Sequence, residues 1–136
     1  MPGRVFTDFT PPEDWAGRQQ AGTLWVAEAD GAVVAFLAAH SEEGRLHIDE
    51  FAVAQTHQGQ GLGRRMLATV LDWARANAFG ALSLTTFRSV PFNAPFYAAF
   101  GFRDWPEAEA PAAIRQRLMH EASSGLKDRC AMRMDL

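Results

Sequence analysis

Three glycines alternate in Gln58-Gly59-Gln60-Gly61-Leu62-Gly63, where a strand-like segment gives way to a helix-like one. Upstream, Leu46 to Ala54 (LHIDEFAVA) reads as a strand. Downstream, Leu62, Met66, Val70 and Trp73 recur at helical spacing, as do Leu67, Leu71 and Ala74. They form one apolar stripe on a helix over about residues 61–78, ended by Gly80. Glycine lets the backbone turn tightly and lets a ligand approach without a Cβ in the way. The first amides of a helix have no internal partners and sit at the positive end of its dipole. The arrangement is an anion site, and a diphosphate suits it. A plain helix-entry turn is the bland alternative, but three alternating glycines weaken a helix start.

The rest of the chain frames this loop. Thr10-Pro11-Pro12-Glu13 has the form of a capping box with proline at the first helical position, so a short helix is predicted over about residues 11–20. Residues 4–9 could form a short strand. Thr23 to Ala29 reads as a strand, and Asp30-Gly31 is a two-residue hairpin signal. Ala32 to Ala39 is a continuous apolar strand expected to be buried on both faces, and Gly44 marks another turn. After the glycine loop and its helix come a strand at Ala81–Thr86 and a short helix at Asn93–Phe100, closed by Gly101. A polar helix at Pro111–Ser123, followed by Gly125, leads to a strand at Arg129–Asp135. The order is β-β-β-α-β-α-α-β. It predicts an α+β fold with a mixed, mainly antiparallel sheet flanked by helices. A strand, helix and strand over residues 46–86 suggest one parallel pair joined by a crossover.

Which diphosphate the loop would hold is narrowed by what it lacks. The ATP-binding P-loop needs G-x-x-x-x-G-K-[ST], but Arg64 follows Gly63. The dinucleotide fingerprint G-x-G-x-x-G is not met from Gly59 or Gly61, and three antiparallel strands before the loop are no Rossmann start. What remains is Q-x-x-G-x-G after a strand ending in Ala-Val. Gln58, Gly61 and Gly63 match the [RQ]-x-x-G-x-[GA] motif of the GNAT (GCN5-related N-acetyltransferase) superfamily, which the chain resembles. Asn93-Ala-Pro-Phe-Tyr97-Ala-Ala-Phe-Gly101-Phe102 is similar to a second GNAT motif, an asparagine, then Phe-Tyr, then Gly-Phe. Both occur in the family's order, and the resemblance covers about residues 23–136.

The resemblance implies a direct acetyl transfer from acetyl-CoA to a primary amine, with acetyl-CoA as co-substrate and no metal. It assigns the pyrophosphate to Gln58, Gly59, Gln60, Gly61, Leu62, Gly63 and Arg64. Backbone groups of Phe51 and Val53 would pair with the pantetheine amides, and an N–H near Val53 would polarise the thioester carbonyl. Tyr97 taken alone packs beside Phe96, Phe100 and Phe102; the resemblance makes it the general acid for the departing thiolate. Asn93 is suited to capping its helix, and the resemblance adds a contact to the pantetheine or phosphate arm. For the general base, His47, Asp49 and Glu50 are available on the third strand, or water relays the proton. Strand alternation puts His47 and Asp49 with Val53 on one face and Glu50 on the other, unless a bulge intervenes. In many GNAT proteins the position of Glu50 lines the acceptor site. Arg88 is a candidate to bind an acceptor carboxylate, although a surface role is the simpler reading.

Composition sets outer limits. The 136 residues fit one domain, with residues 1–22 as a shortened N-terminal segment and 23–136 as the core. A GNAT N-terminus usually supplies a strand and two helices that shape the acceptor site, so that site would be open, completed by a partner subunit as in a homodimer, or lost. The last case leaves a different class of protein open, a catalytically idle CoA-binding module that senses or regulates. With 13 basic and 16 acidic residues and a net charge of −3, a general nucleic-acid binder is not expected. The longest apolar stretch, Ala32 to Ala39, is far short of the ~20 residues a membrane helix needs. The lone Cys130 excludes an internal disulfide, reads as buried packing and suits a reducing compartment; with no signal peptide legible, a cytoplasmic protein is expected. His40, His47, His57 and His120 lack metal-ligand spacing. The acceptor, a small-molecule or peptide amine, is not legible.

Overall fold

The computed structural model describes residues 16–90 and 93–136. The strand expected at 4–9, and the part of the first helix before Ala16, lie outside the described residues. The chain falls into two compact units, one ending at Phe79 and one beginning at Gly80.

The first unit runs α1 (Ala16–Gln20), β1 (Leu24–Ala29), β2 (Ala32–Glu42), β3 (Arg45–Val53) and, after a short 3-10 turn, α2 (Leu62–Ala76). β1 and β3 both pair antiparallel with β2. Two tight turns make this possible. Asp30 and Gly31 have φ of 53° and 80°, and Glu43 and Gly44 have 52° and 81°. Two consecutive positive-φ residues match the right-handed twist of the flanking strands, so both hairpins close without splaying. β2 runs past the apolar stretch to Glu42, because His40, Ser41 and Glu42 pair with His47, Leu46 and Arg45.

Its core is built from Phe36, Leu37, Leu46, Leu67 and Val70, all fully buried. Burying such a side chain contributes roughly 1.5–3 kcal/mol each. α2 lies against β1 and β3. Trp25 of β1 meets Trp73 of α2 edge to face, with centroids 5.3 Å apart. Gly80 does not end α2. Ala78 takes the left-handed position at φ 64°, and the Phe79 N–H returns to the Ala74 carbonyl at 3.0 Å. The Ala78 N–H bonds the Arg75 carbonyl, completing a Schellman-type cap. A left-handed alanine costs ~1–2 kcal/mol. The packing of Phe79 on Trp73, 5.8 Å between centroids, offsets it and draws the cap two residues forward of Gly80.

The second unit runs β4 (Ala81–Phe87), α3 (Ala94–Phe100), β5 (Arg103–Asp104), α4 (Ala112–Ser123) and β6 (Arg129–Asp135). β6 pairs antiparallel with β4 along its whole length, from Ala81↔Asp135 to Phe87↔Arg129. β5 pairs with β6 through Arg103 and Asp104 alone, too short a strand to show any periodicity. Trp105, Ala110, Ile114, Leu118 and Ala131 bury one another under α4. A half-buried clamp holds the same elements: Glu121 of α4 accepts from Thr85 Oγ1 at 2.7 Å and from Arg129 Nε at 3.0 Å.

Candidate active site

β3 carries a bulge at Asp49. Ala38 pairs with Glu50 and Ala39 with Ile48, so Asp49 has no partner opposite it. One extra residue shifts the side-chain alternation by one. His47, opposite His40, and Glu50, opposite Ala38, therefore share a face, whereas Phe51 and Val53 share the other. This corrects the simple alternation, which put Glu50 opposite His47 and Val53 beside it. His47 is buried and its ring lies 5.6 Å from that of His40. Glu50, Phe51 and Val53 are half-buried.

Asp49 itself is fully engaged. Arg18 of α1 donates Nε–H to it at 3.0 Å, and His40 donates from Nδ1 at 2.8 Å. Burial pushes its carboxyl up, but the hydrogen bonds from His40 and Arg18 outweigh this and hold it below the ordinary value. A carboxylate held below its ordinary value by Arg18 and His40 is a weaker base, which makes Glu50 and His47 the better candidates.

The loop after β3 leads through the 3-10 turn Gln55–His57 into α2. Its exposed glutamine side chains fold back onto the backbone: Gln58 Nε2 donates to the Val53 carbonyl at 2.9 Å, and Gln60 Nε2 to the Thr56 carbonyl at 3.2 Å. Gln58 thus ties the loop to the end of β3, a role its motif position did not reveal. Gly59 and Gly61 have φ of 77° and 82°, and a Cβ added at either would meet no atom within 4 Å. They are glycine for backbone reasons, with open space above them. Gly61 is the N-cap of α2, with no side-chain cap. Its carbonyl accepts from the Arg65 N–H at 3.1 Å. Among the described residues, the amides of 59–64 donate to no protein atom. Arg64 and Arg65 are exposed beside them.

In the second unit, Tyr97 on α3 is buried, with its ring edge-on to Phe96 at 5.3 Å and to Phe102 at 5.5 Å. Burial pushes its phenol well above the ordinary value. Its hydroxyl bonds no other described residue. Asn93 stands at the N-cap of α3, but its side chain does not cap the helix. Its Oδ1 accepts instead from the buried Thr86 hydroxyl at 2.8 Å, so the capping role gives way to a tie onto β4. Arg88 is exposed and pairs with Asp104 at 3.3 Å, the surface role.

Residues 3–102 match the Acetyltransferase (GNAT) family. The chain belongs to this family. Among curated relatives, the probable N-acetyltransferase camello of Xenopus tropicalis is 28% identical over 96 residues, 68% of this chain and 44% of the relative. The N-acetylaspartate synthetase of Rattus norvegicus is 27% identical over 101 residues, 73% of this chain and 34% of the relative. The chain thus spans less than half the length of these relatives. Among solved structures, the N-acetylglutamate synthase of Neisseria gonorrhoeae, complexed with coenzyme A and N-acetyl-glutamate, aligns at a TM-score of 0.72 and 20% identity, covering 93% of this chain and 28% of that one. The fold is therefore the GNAT α+β fold, a mixed sheet flanked by helices, as the order of elements predicts. Among the described residues no helix is long and apolar enough to cross a membrane.

Proposed function

We propose that this GNAT chain, read as one domain, transfers the acetyl group of acetyl-CoA directly to a primary amine. The observation that carries this reading is the row of unsealed amides at 59–64 beside Arg64 and Arg65. Such a row grips a diphosphate by backbone donors and the helix dipole. Gln58 holds the loop in shape from Val53, and Gly59 and Gly61 keep its surface bare. Backbone groups of Phe51 and Val53 hold the pantetheine arm, with Asn93 assisting through its side-chain amide.

In the reaction the amine nitrogen loses a proton to Glu50, His47 or water and attacks the thioester carbonyl. The carbon–sulfur bond breaks, and the thiolate takes a proton or hydrogen bond from Tyr97. A tyrosine with a raised pKa stays protonated at neutral pH, and its buried hydroxyl has no described partner to compete for that proton. Positioning of the two reactants supplies much of the rate, up to ~7–11 kcal/mol in the best cases. A free, buried Cys130 suits a cytoplasmic protein.

Calorimetry with acetyl-CoA, CoA and ATP, followed by thiol release over a panel of amines, tests the reading. Binding of both CoA forms but not ATP, with turnover on at least one amine, is the expected result. CoA binding without turnover on any amine would leave the regulatory module, and ATP binding alone would overturn the assignment.

A further inference from the structure

The polar residues around the β3 bulge form one connected chain of contacts. Arg18 of α1 donates to Asp49 at 3.0 Å. Asp49 also accepts from His40 Nδ1 at 2.8 Å, and His40 Nε2 donates to Glu42 at 3.2 Å. Glu42 and Glu43 both accept from Arg45 Nη2, at 3.1 and 3.2 Å. With a carboxylate on each nitrogen, both ring positions of His40 act as donors, which only the imidazolium provides. The hydrogen bond that His40 donates to Asp49 raises the His40 pKa and outweighs the burial that lowers it.

This chain of contacts converges on the residue that makes the bulge. Asp49 is the extra residue of β3, and the ring that anchors it stands on the facing strand, paired with His47. An unpaired residue in a ladder has two ways out: it can stay bulged, or the strand can slip by one and restore simple alternation. The slipped register would turn Glu50 to the opposite face from His47. Tethering Asp49 to β2 through His40 and to α1 through Arg18 opposes that slip.

We infer that His40 is a positioning residue for acetyl transfer: clamped between Asp49 and Glu42, it fixes the bulge that holds Glu50 on the His47 face. The inference rests on the acetyltransferase reading for its kinetic consequence, and on the register of β3 for its structural one. The groups around His40 are Asp49 and His47 from β3, Glu42 from β2 with Arg45 behind it, and Arg18 from α1.

The test combines two variants with an NMR titration. His40→Asn keeps a donor near the position of Nδ1 for Asp49 but does not titrate. His40→Ala removes both contacts. Wild-type kcat is expected to fall as pH rises through the imidazolium titration, and His40→Asn to lack that descent while keeping most of the activity at low pH. His40→Ala is expected to lose kcat by on the order of tenfold to a hundredfold, the scale of a displaced catalytic group, with the acetyl-CoA KM unchanged. In wild-type protein the Glu50 backbone amide shift should follow the His40 ring titration. A Glu50 amide indifferent to that titration, or a His40→Asn pH profile superimposable on wild type, would overturn the inference. The NMR titration and His40→Asn stand even if His40→Ala fails to fold. Absence of turnover in wild type would instead sink the acetyltransferase reading, leaving the titration to judge the bulge by itself.

Discussion

The Thr86 hydroxyl donates to Asn93 Oδ1 at 2.8 Å, so the last turn of sheet before the loop holds the side chain at the mouth of α3. With its oxygen engaged by Thr86, the Asn93 carboxamide keeps its N–H donors for a ligand, and under the proposed function an acceptor oxygen of the cofactor arm takes them. Thr86→Val should therefore loosen CoA binding, though less than Asn93→Ala, and should cost about 1 kcal/mol of stability for the lost bond. Calorimetric titration with CoA and urea unfolding would read both. Equal CoA affinity for wild type and Asn93→Ala would show that the side chain serves only the tie to Thr86.

Gly61→Ala separates backbone strain from steric exclusion. A Cβ there meets nothing in the free protein, so the cost of folding should come from the left-handed φ alone, ~1–2 kcal/mol. CoA affinity should fall by more than that strain implies, because under the proposed function the new methyl stands where the phosphates approach. A variant that loses stability but binds CoA as wild type does would take the phosphates away from this loop.

Tyr97→Phe should lower kcat by about 10², the lower end of general-acid contributions, and leave the acetyl-CoA affinity nearly unchanged. Its effect on stability should be neutral or favourable, because a buried hydroxyl without a described partner gives nothing to the fold when removed. Melting temperature and steady-state kinetics on the same preparation check this pair of outcomes. A marked drop in melting temperature would mean that the hydroxyl has a structural partner.

The His40–Asp49 pair makes stability depend on pH in a definite direction. His40 has its pKa raised above 6.5 in the folded state, so its contribution is complete below about 6.5 and is lost as pH rises through the folded value. Asp49 is lowered below 3.8, so its contribution is present above that value and is lost as pH falls through the folded one. Together they stabilise most between about pH 4 and 6.5. Denaturant unfolding from pH 4 to 8 should show wild type losing stability above 6.5 relative to Asp49→Asn. Parallel curves for the two proteins would dissolve the pair as a source of stability.

Much of the fold was legible because its signals are local. Asp30-Gly31 and Gly44 named their hairpins through the positive φ each turn requires, and the stripe from Leu62 to Trp73 named α2. The glycine loop was placed correctly for the same reason: Gly59 and Gly61 both stand at positive φ, a demand that a single residue type declares. Gly80 is the residue that spacing offers as the end of α2, but Ala78 takes the left-handed position ahead of it with Phe79 packed on Trp73, a contact that spacing does not announce. By itself Asn93 suits a helix cap, and the family resemblance adds the cofactor arm; its partner Thr86 lies on the preceding strand, outside the window either reading uses.

The sequence alone determined the order of elements, the glycine loop and the family to which the chain belongs, because turn chemistry, periodicity and motif spacing all act over a few residues. Only the tertiary structure decided which candidate groups share a face and which are spent on one another. The bulge at Asp49 comes from pairing with β2, and Asp49 is weakened as a base by Arg18 and His40, thirty-one and nine residues away in the chain. Register and charge pairing are set by what folding brings opposite a residue, and no window along the chain contains that information.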